Sequence, residues 1–152
     1  MSREPCEVWF YHLERSSLDQ VLPELLEKTL ARGWRALVRS EDSGLLERLD
    51  EKLWTYRDEA FLPHGLAAEP LPERQPVLLS ADGANLNGAQ ALFVVDGEPG
   101  DLEGFARCIL IFDGQSEPAV SAARGVWARA KAAGHLVTYW RQGESRGWVK
   151  QG

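Results

Sequence analysis

The chain has 152 residues, of which 44% are hydrophobic and 26% charged, with a formal net charge of −6. A domain of that size buries roughly 68–70% of its unfolded surface, so neither disulfides nor a structural metal are needed to hold it, and the composition excludes a largely disordered chain. The charge is uneven: residues 1–100 carry 10 Lys/Arg against 18 Asp/Glu, and residues 101–152 carry 7 against 5.

Glu7–His12 reads as a first, central strand, rich in aromatic and β-branched residues. Ser16 and Ser17 offer N-cap oxygens for a helix whose apolar stripe Val21, Leu22, Leu25, Leu26 and Leu30 stops at Gly33, with Pro23 expected in the first turn or after a short irregular one. Trp34–Arg39 is a second strand, apolar enough for burial on both faces, which favours a parallel sheet. Asp42 or Ser43 caps the next helix, in which Leu45, Leu46, Leu49, Leu53 and Trp54 fall at near-helical spacing. Residues 57–76 hold Pro63, Pro70, Pro72 and Pro76 and read as an irregular connection.

Val77–Ser80 and Ala91–Val95 are strands separated by an Asp/Gly/Asn-rich turn, and Arg107–Phe112 is another, almost wholly apolar. Pro118–Ala133 is a helix with Pro118 near its first position and Gly134 just past its end. His135–Trp140 is the last strand, and residues 143–152 read as a polar tail. This order predicts one α/β domain over 1–152, with a mostly parallel sheet and helices on both faces.

Such a sheet invites a nucleotide-binding reading, which the residues oppose. The turn after the first strand, His12-Leu-Glu-Arg-Ser-Ser17, has no glycine, and no phosphate-binding loop occurs anywhere. His12, His64 and His135 lack metal spacing, and no nucleophile signature surrounds Cys6 or Cys108, which read as buried free thiols of a reducing compartment. Asp96 and Asp113 each precede a glycine at a strand end, a place for enzymatic carboxylates but also plain turn chemistry. No cofactor is expected. With no apolar leader and no run of about 18 apolar residues, a cytoplasmic protein without membrane contact is expected.

From Gly114 onward, Arg124, Arg129, Lys131, Arg141, Arg146 and Lys150 face only Glu117 and Glu144, which suits either a solvated helix or an acidic partner. Arg124 and Trp127 are three apart on one predicted helix and share a side, with Lys131 a turn further on. Direct nucleic-acid binding through these cations, with Trp127, Trp140 or Trp148 stacking on bases, is opposed by the overall charge of −6. A small α/β enzyme acting on a nucleotide or phosphate ester through Asp96, Asp113 and His12 is the remaining alternative.

Several motifs occur in a telling order: Phe10-Tyr-His-Leu13, Leu22-Pro-Glu-Leu-Leu-Glu-Lys28, Leu49-Asp-Glu-Lys-Leu-Trp54, Phe61-Leu-Pro-His-Gly65, Gln75-Pro-Val77, Phe112-Asp-Gly114, Ala123-Arg124 with Trp127, and Tyr139-Trp140. As an ordered set they resemble the chi subunit family of bacterial DNA polymerase III over nearly the full length. The resemblance implies a Rossmann-like domain without nucleotide and a non-catalytic accessory subunit of the clamp-loader assembly. It further implies two partners: the acidic, Phe-terminated tail of single-stranded DNA-binding protein, and the psi subunit. Matching positions assign the tail site to Arg124 and Trp127, with Lys131 extending the positive field and Trp54 as a further wall. Phe61, with Leu62 and Pro63, is assigned to psi. Trp127, Trp54 and Phe61 also have plain core readings. Val120 and Ala128 are apolar where the family often has basic residues, and Arg129 and Lys131 substitute in part.

Overall fold

The computed structural model describes residues 6–14, 18–55, 64–66, 75–81, 87–95, 105–142 and 148–150. Among the described residues, eight strands and three helices follow one another as β1 (Glu7–Leu13), α1 (Leu18–Ala31), β2 (Ala36–Arg39), α2 (Ser43–Thr55), β3 (His64–Leu66), β4 (Val77–Ser80), β5 (Ala91–Val94), β6 (Arg107–Asp113), α3 (Glu117–Ala132), β7 (Val137–Gln142) and β8 (Trp148–Lys150). They form one sheet in the order β3-β4-β2-β5-β6-β1-β7-β8, parallel throughout except for the antiparallel pair β7–β8.

The direction of the crossovers explains the layers. From β1 the chain passes through α1 to β2 on one side, whereas from β6 it passes through α3 to β7 on the other. Right-handed connections running in opposite directions put their helices on opposite faces. The alternation of β1 shows the result: Tyr11 and Leu13 join Leu22, Leu26, Leu49 and Leu53 in one core, while Val8 and Phe10 join Ala123, Val126 and Ala130 in the other. Burial on both faces is why the strands read as continuous apolar runs.

Local chemistry sets the helix ends. Asp42 Oδ1 accepts hydrogen bonds from the N–H groups of Gly44 and Leu45, so Asp42 caps α2. Ser116 caps α3 by accepting from Ala119 N, and Gly33 and Gly134, at φ +83° and +86°, take up the left-handed backbone past α1 and α3. Ser16 and Ser17 lie outside the described residues.

Three elements differ from the sequence reading. Pro23 sits inside α1, past its first turn, and is buried; its apolar ring packs in the core and offsets the hydrogen bond it cannot donate. The proline-dense connection contains β3, a strand of three residues that among the described residues bonds to β4 alone and so needs few backbone donors. Trp148–Lys150, read as tail, is β8, and the Trp148 ring meets Tyr11 edge-on with centroids 4.8 Å apart.

At the amino ends of β1 and β6, Arg107 lies over the Trp9 ring at 3.9 Å, with its Nη2 3.4 Å from Glu7 Oε2, and the Trp34 ring is 5.2 Å away. Two tryptophans are thus used to hold strand ends. Cys6 and Cys108 are free and buried. Burial pushes the Cys6 thiol up to about 11 and the Cys108 thiol well above its usual range. Neither is expected to react with iodoacetamide at pH 7.5 in the native state, and both are expected to react in urea. Rapid native labelling of either, read by mass spectrometry, would contradict this packing. No helix among the described residues is long and apolar enough to cross a membrane.

Candidate functional site

The loops after β1 and β6 leave towards opposite faces, and β6 and β1 are neighbours. Their carboxyl ends therefore mark the topological switch point at which open α/β sheets receive ligands. Here the β6 turn closes onto β1: Gly114 N–H donates to Leu13 O at 2.8 Å, and the Gln115 side-chain amide donates to Glu14 O at 3.1 Å. A Cβ on Gly114 would lie 2.0 Å from His12 Nε2 and 2.6 Å from Leu13 O, so the His12 ring and the turn already fill the space between them. Asp113 Oδ1 accepts from Gln115 N at 2.9 Å, which bears out its turn chemistry. Asp96 lies outside the described residues. Among the described residues no group of three or more His, Cys, Asp or Glu is placed to hold a metal ion.

Beside these strand ends, on the α3 face, the aromatic residues gather. Trp127 lies edge-on to Phe10 at 5.4 Å and to Tyr139 at 5.8 Å, and Tyr139 stacks on Phe10 at 6.0 Å. Trp127, Tyr139 and Val137 are half-buried: each anchors in the core and leaves an apolar edge at the surface. The core reading of Trp127 thus holds for part of its ring, and the rest of the ring stays at the surface. Arg124 and Lys131 stand exposed on either side of it along α3, with Lys131 Nζ 5.5 Å from the Trp127 ring centroid. Neither cation has an ion pair among the described residues.

Strand register adds residues that helical spacing could not supply. Tyr139 Oη lies 2.6 Å from His12 Nδ1, and two residues on, along the same face of β7, comes Arg141. Burial pushes the His12 pKa below its ordinary value, with the Arg141 and Arg124 guanidinium groups acting in the same direction and Glu14 and Asp113 opposing them. In the neutral tautomer whose Nδ1 accepts a hydrogen bond from the Tyr139 hydroxyl, the His12 Nε2–H faces Glu14 Oε1, 3.6 Å away. Burial likewise raises the Tyr139 pKa, opposed by the Arg141 and Arg124 charges.

Because the folded pKa of His12 lies below its unfolded value of about 6.5, its neutral form contributes stability that is fully present above that pH. The contribution is lost as pH falls through the folded pKa. Urea unfolding midpoints are therefore expected to decline from pH 7 to 5 more steeply for the wild type than for His12→Asn. Parallel declines would show that His12 does not titrate on unfolding.

The structure does not unite all the residues proposed from sequence. Arg124, Trp127 and Lys131 share one face of α3, but Trp54 belongs to the last turn of α2, across the sheet, where Leu46, Leu49 and Leu53 enter the opposite core. Right-handed crossovers to opposite sides thus place the helix that carries Trp54 across the sheet from α3. Its end of α2 instead packs on β3, where His64 Nε2 lies 3.1 Å from Asp50 Oδ1 and 3.0 Å from Asp50 O. Phe61, Leu62 and Pro63 lie outside the described residues. Trp140 and Trp148 pack on the α1–α2 side with Trp9 and Tyr11, so they do not continue the cationic strip of α3 as a base-stacking platform.

Fold and site together define a three-layer α/β domain of open, Rossmann-like type, whose β6 turn packs on the end of β1 and whose cationic, aromatic surface lies to one side. Comparison with known proteins is specific. Residues 6–138 match the family model described as DNA polymerase III chi subunit, HolC, and the chain belongs to that family. It is 28% identical over 85 residues to the probable DNA polymerase III subunit chi of Rickettsia prowazekii, covering 56% of this chain and 52% of that protein. It is also 40% identical over 50 residues to the DNA polymerase III subunit chi of Pseudomonas aeruginosa (33% and 35% covered) and 39% identical over 54 residues to that of Escherichia coli K12 (36% and 37% covered). The matches thus span about half the length of the first relative and about a third of the other two.

Proposed function

We propose that the protein is a non-catalytic accessory subunit in DNA replication, linking the polymerase III clamp loader to single-stranded DNA-binding protein by gripping that protein's acidic, Phe-ended tail. The observation that carries this reading is the pairing of two exposed cations, Arg124 and Lys131, which have no ion pair among the described residues, with the half-buried rings of Trp127 and Tyr139 on a protein of net charge −6. A guanidinium can fork onto a carboxylate while an aromatic edge receives a phenyl ring, the two chemistries such a tail presents. The glycine-free turn after β1 and the packing of the β6 turn on His12 and Leu13 count against a nucleotide-using enzyme.

The second partner, psi or an equivalent clamp-loader component, docks in this reading at the β3 end of the sheet. Phe61, Leu62 and Pro63 immediately precede β3, and Trp54 ends the helix that packs on it, so Trp54 is better grouped with them than with α3. The two partners would then bind at well-separated places, as an adaptor in the cytoplasm requires.

Fluorescence anisotropy of a labelled Asp-rich peptide ending in Phe with a free carboxylate tests the tail reading. Saturable binding that weakens with salt and is lost on deleting the Phe is expected. Absence of binding at low salt, or equal binding of bare single-stranded DNA, would overturn it.

A further inference from the structure

The acidic-peptide surface contains a second guanidinium that is already engaged. Glu14 follows directly on β1, and its Oε1 lies 2.6 Å from both Nε and Nη2 of Arg141, as well as 3.6 Å from His12 Nε2. The Glu14 backbone is tethered from the other side by the Gln115 amide. Arg141 shares the face of β7 with Tyr139, whose ring meets Trp127, and Trp127 shares the face of α3 with Arg124. The sequence of groups across the surface is therefore an open guanidinium, two aromatic edges, and a guanidinium already occupied by a carboxylate.

We propose that Glu14 is an internal stand-in for a ligand carboxylate, and that an acidic peptide lying from α3 to β7 displaces it, making Arg141 the second guanidinium of the site. The proposal rests on the acidic-peptide reading given above and names what sets its selectivity. With Arg141 53% and Glu14 28% exposed, their pair is solvated enough to exchange partners cheaply. A ligand with a single carboxylate engages Arg124 and leaves the internal pair intact. A run of carboxylates supplies the local excess that replaces Glu14, whose own charge repels any acid that does not displace it. Glu14 thus discriminates between strongly and weakly acidic peptides by penalising the second class.

The test compares Glu14→Gln, Arg141→Gln and the double variant in the peptide titration, with Arg124→Ala alongside. Glu14→Gln is expected to tighten binding about 3- to 10-fold, and Arg141→Gln to weaken it by a similar factor. The gain from Glu14→Gln is expected to shrink when Arg141 is already Gln, to the part that comes from removing a negative charge, since there is then no guanidinium to release. A gain that persists undiminished in the Arg141→Gln background comes from loss of a negative charge alone and overturns the proposal. So does unchanged or weaker binding by Glu14→Gln while Arg124→Ala still weakens binding; that outcome leaves the acidic-peptide reading standing. If Arg124→Ala also has no effect, the reading itself falls.

Discussion

Replacing Arg124 with alanine is expected to weaken the acidic, Phe-ended peptide roughly 10- to 100-fold, corresponding to about 1.5–3 kcal/mol for a charge-assisted hydrogen bond. Two features of the structure put the effect at this residue rather than at its neighbours. Arg124 is exposed and has no ion pair among the described residues, so its guanidinium needs no partner broken before it can bind. Arg107, by contrast, is spent on Glu7 and Trp9. Arg124→Lys should recover only part of the loss, because an ammonium keeps the charge without the planar fork. The deficit of Arg124→Ala should shrink between 50 and 300 mM salt as screening weakens the wild-type interaction. Trp127 provides the complementary arm: Trp127→Phe keeps a ring against Phe10 and Tyr139, whereas Trp127→Ala removes the wall and part of the core. Wild-type affinity in Arg124→Ala at low salt, where the deficit should be largest, would remove the site from α3.

The sequence disclosed the fold where one physical rule governed each segment. Apolar runs bounded by turns became buried parallel strands, and leucine stripes became helices closed by Gly33 and by Ser116 and Gly134. It misled where a local signal met a tertiary exception. Pro23 argued for the start of a helix, yet burial of its ring holds it well inside one. Prolines around residue 64 argued for irregularity, yet a short strand with a single neighbour among the described residues can form between them.

The site was half legible for a similar reason. Helical spacing is local, so Arg124, Trp127 and Lys131 could be grouped from their numbers alone. The contributions of Tyr139, His12, Glu14 and Arg141 depend on β7 lying beside β1 in a register that pairs Phe10 with Tyr139 and His12 with Arg141, and nothing within either strand states that register. Trp54 shows the converse. It lies in a motif that carries the family resemblance, and only the direction of the crossovers reveals that its helix and α3 lie on opposite sides of the sheet.

Gly114→Ala is expected to be among the most damaging single-methyl additions to this protein. Gly114 is not one of the glycines at positive φ, so the cause is space and not backbone conformation. The added Cβ would meet the His12 ring at 2.0–2.2 Å and the Leu13 carbonyl oxygen at 2.6 Å, far inside contact distance. The imidazole cannot swing away without giving up Tyr139 Oη, and the carbonyl belongs to a strand whose register fixes it. An overpacking penalty of about 3 kcal/mol follows, equivalent to a melting temperature lower by roughly 6–12 °C for a domain of this size. In the double variant His12→Ala/Gly114→Ala the ring is gone and only the carbonyl contact remains, so the second substitution should cost clearly less than it does alone. The same displacement should reach the docking surface, because Tyr139 loses the imidazole that holds its hydroxyl while its ring forms part of the wall beside Trp127. Peptide affinity should therefore fall in Gly114→Ala even at temperatures where the protein remains folded, and a variant with unchanged melting temperature and affinity would show that the β6 turn does not close on His12.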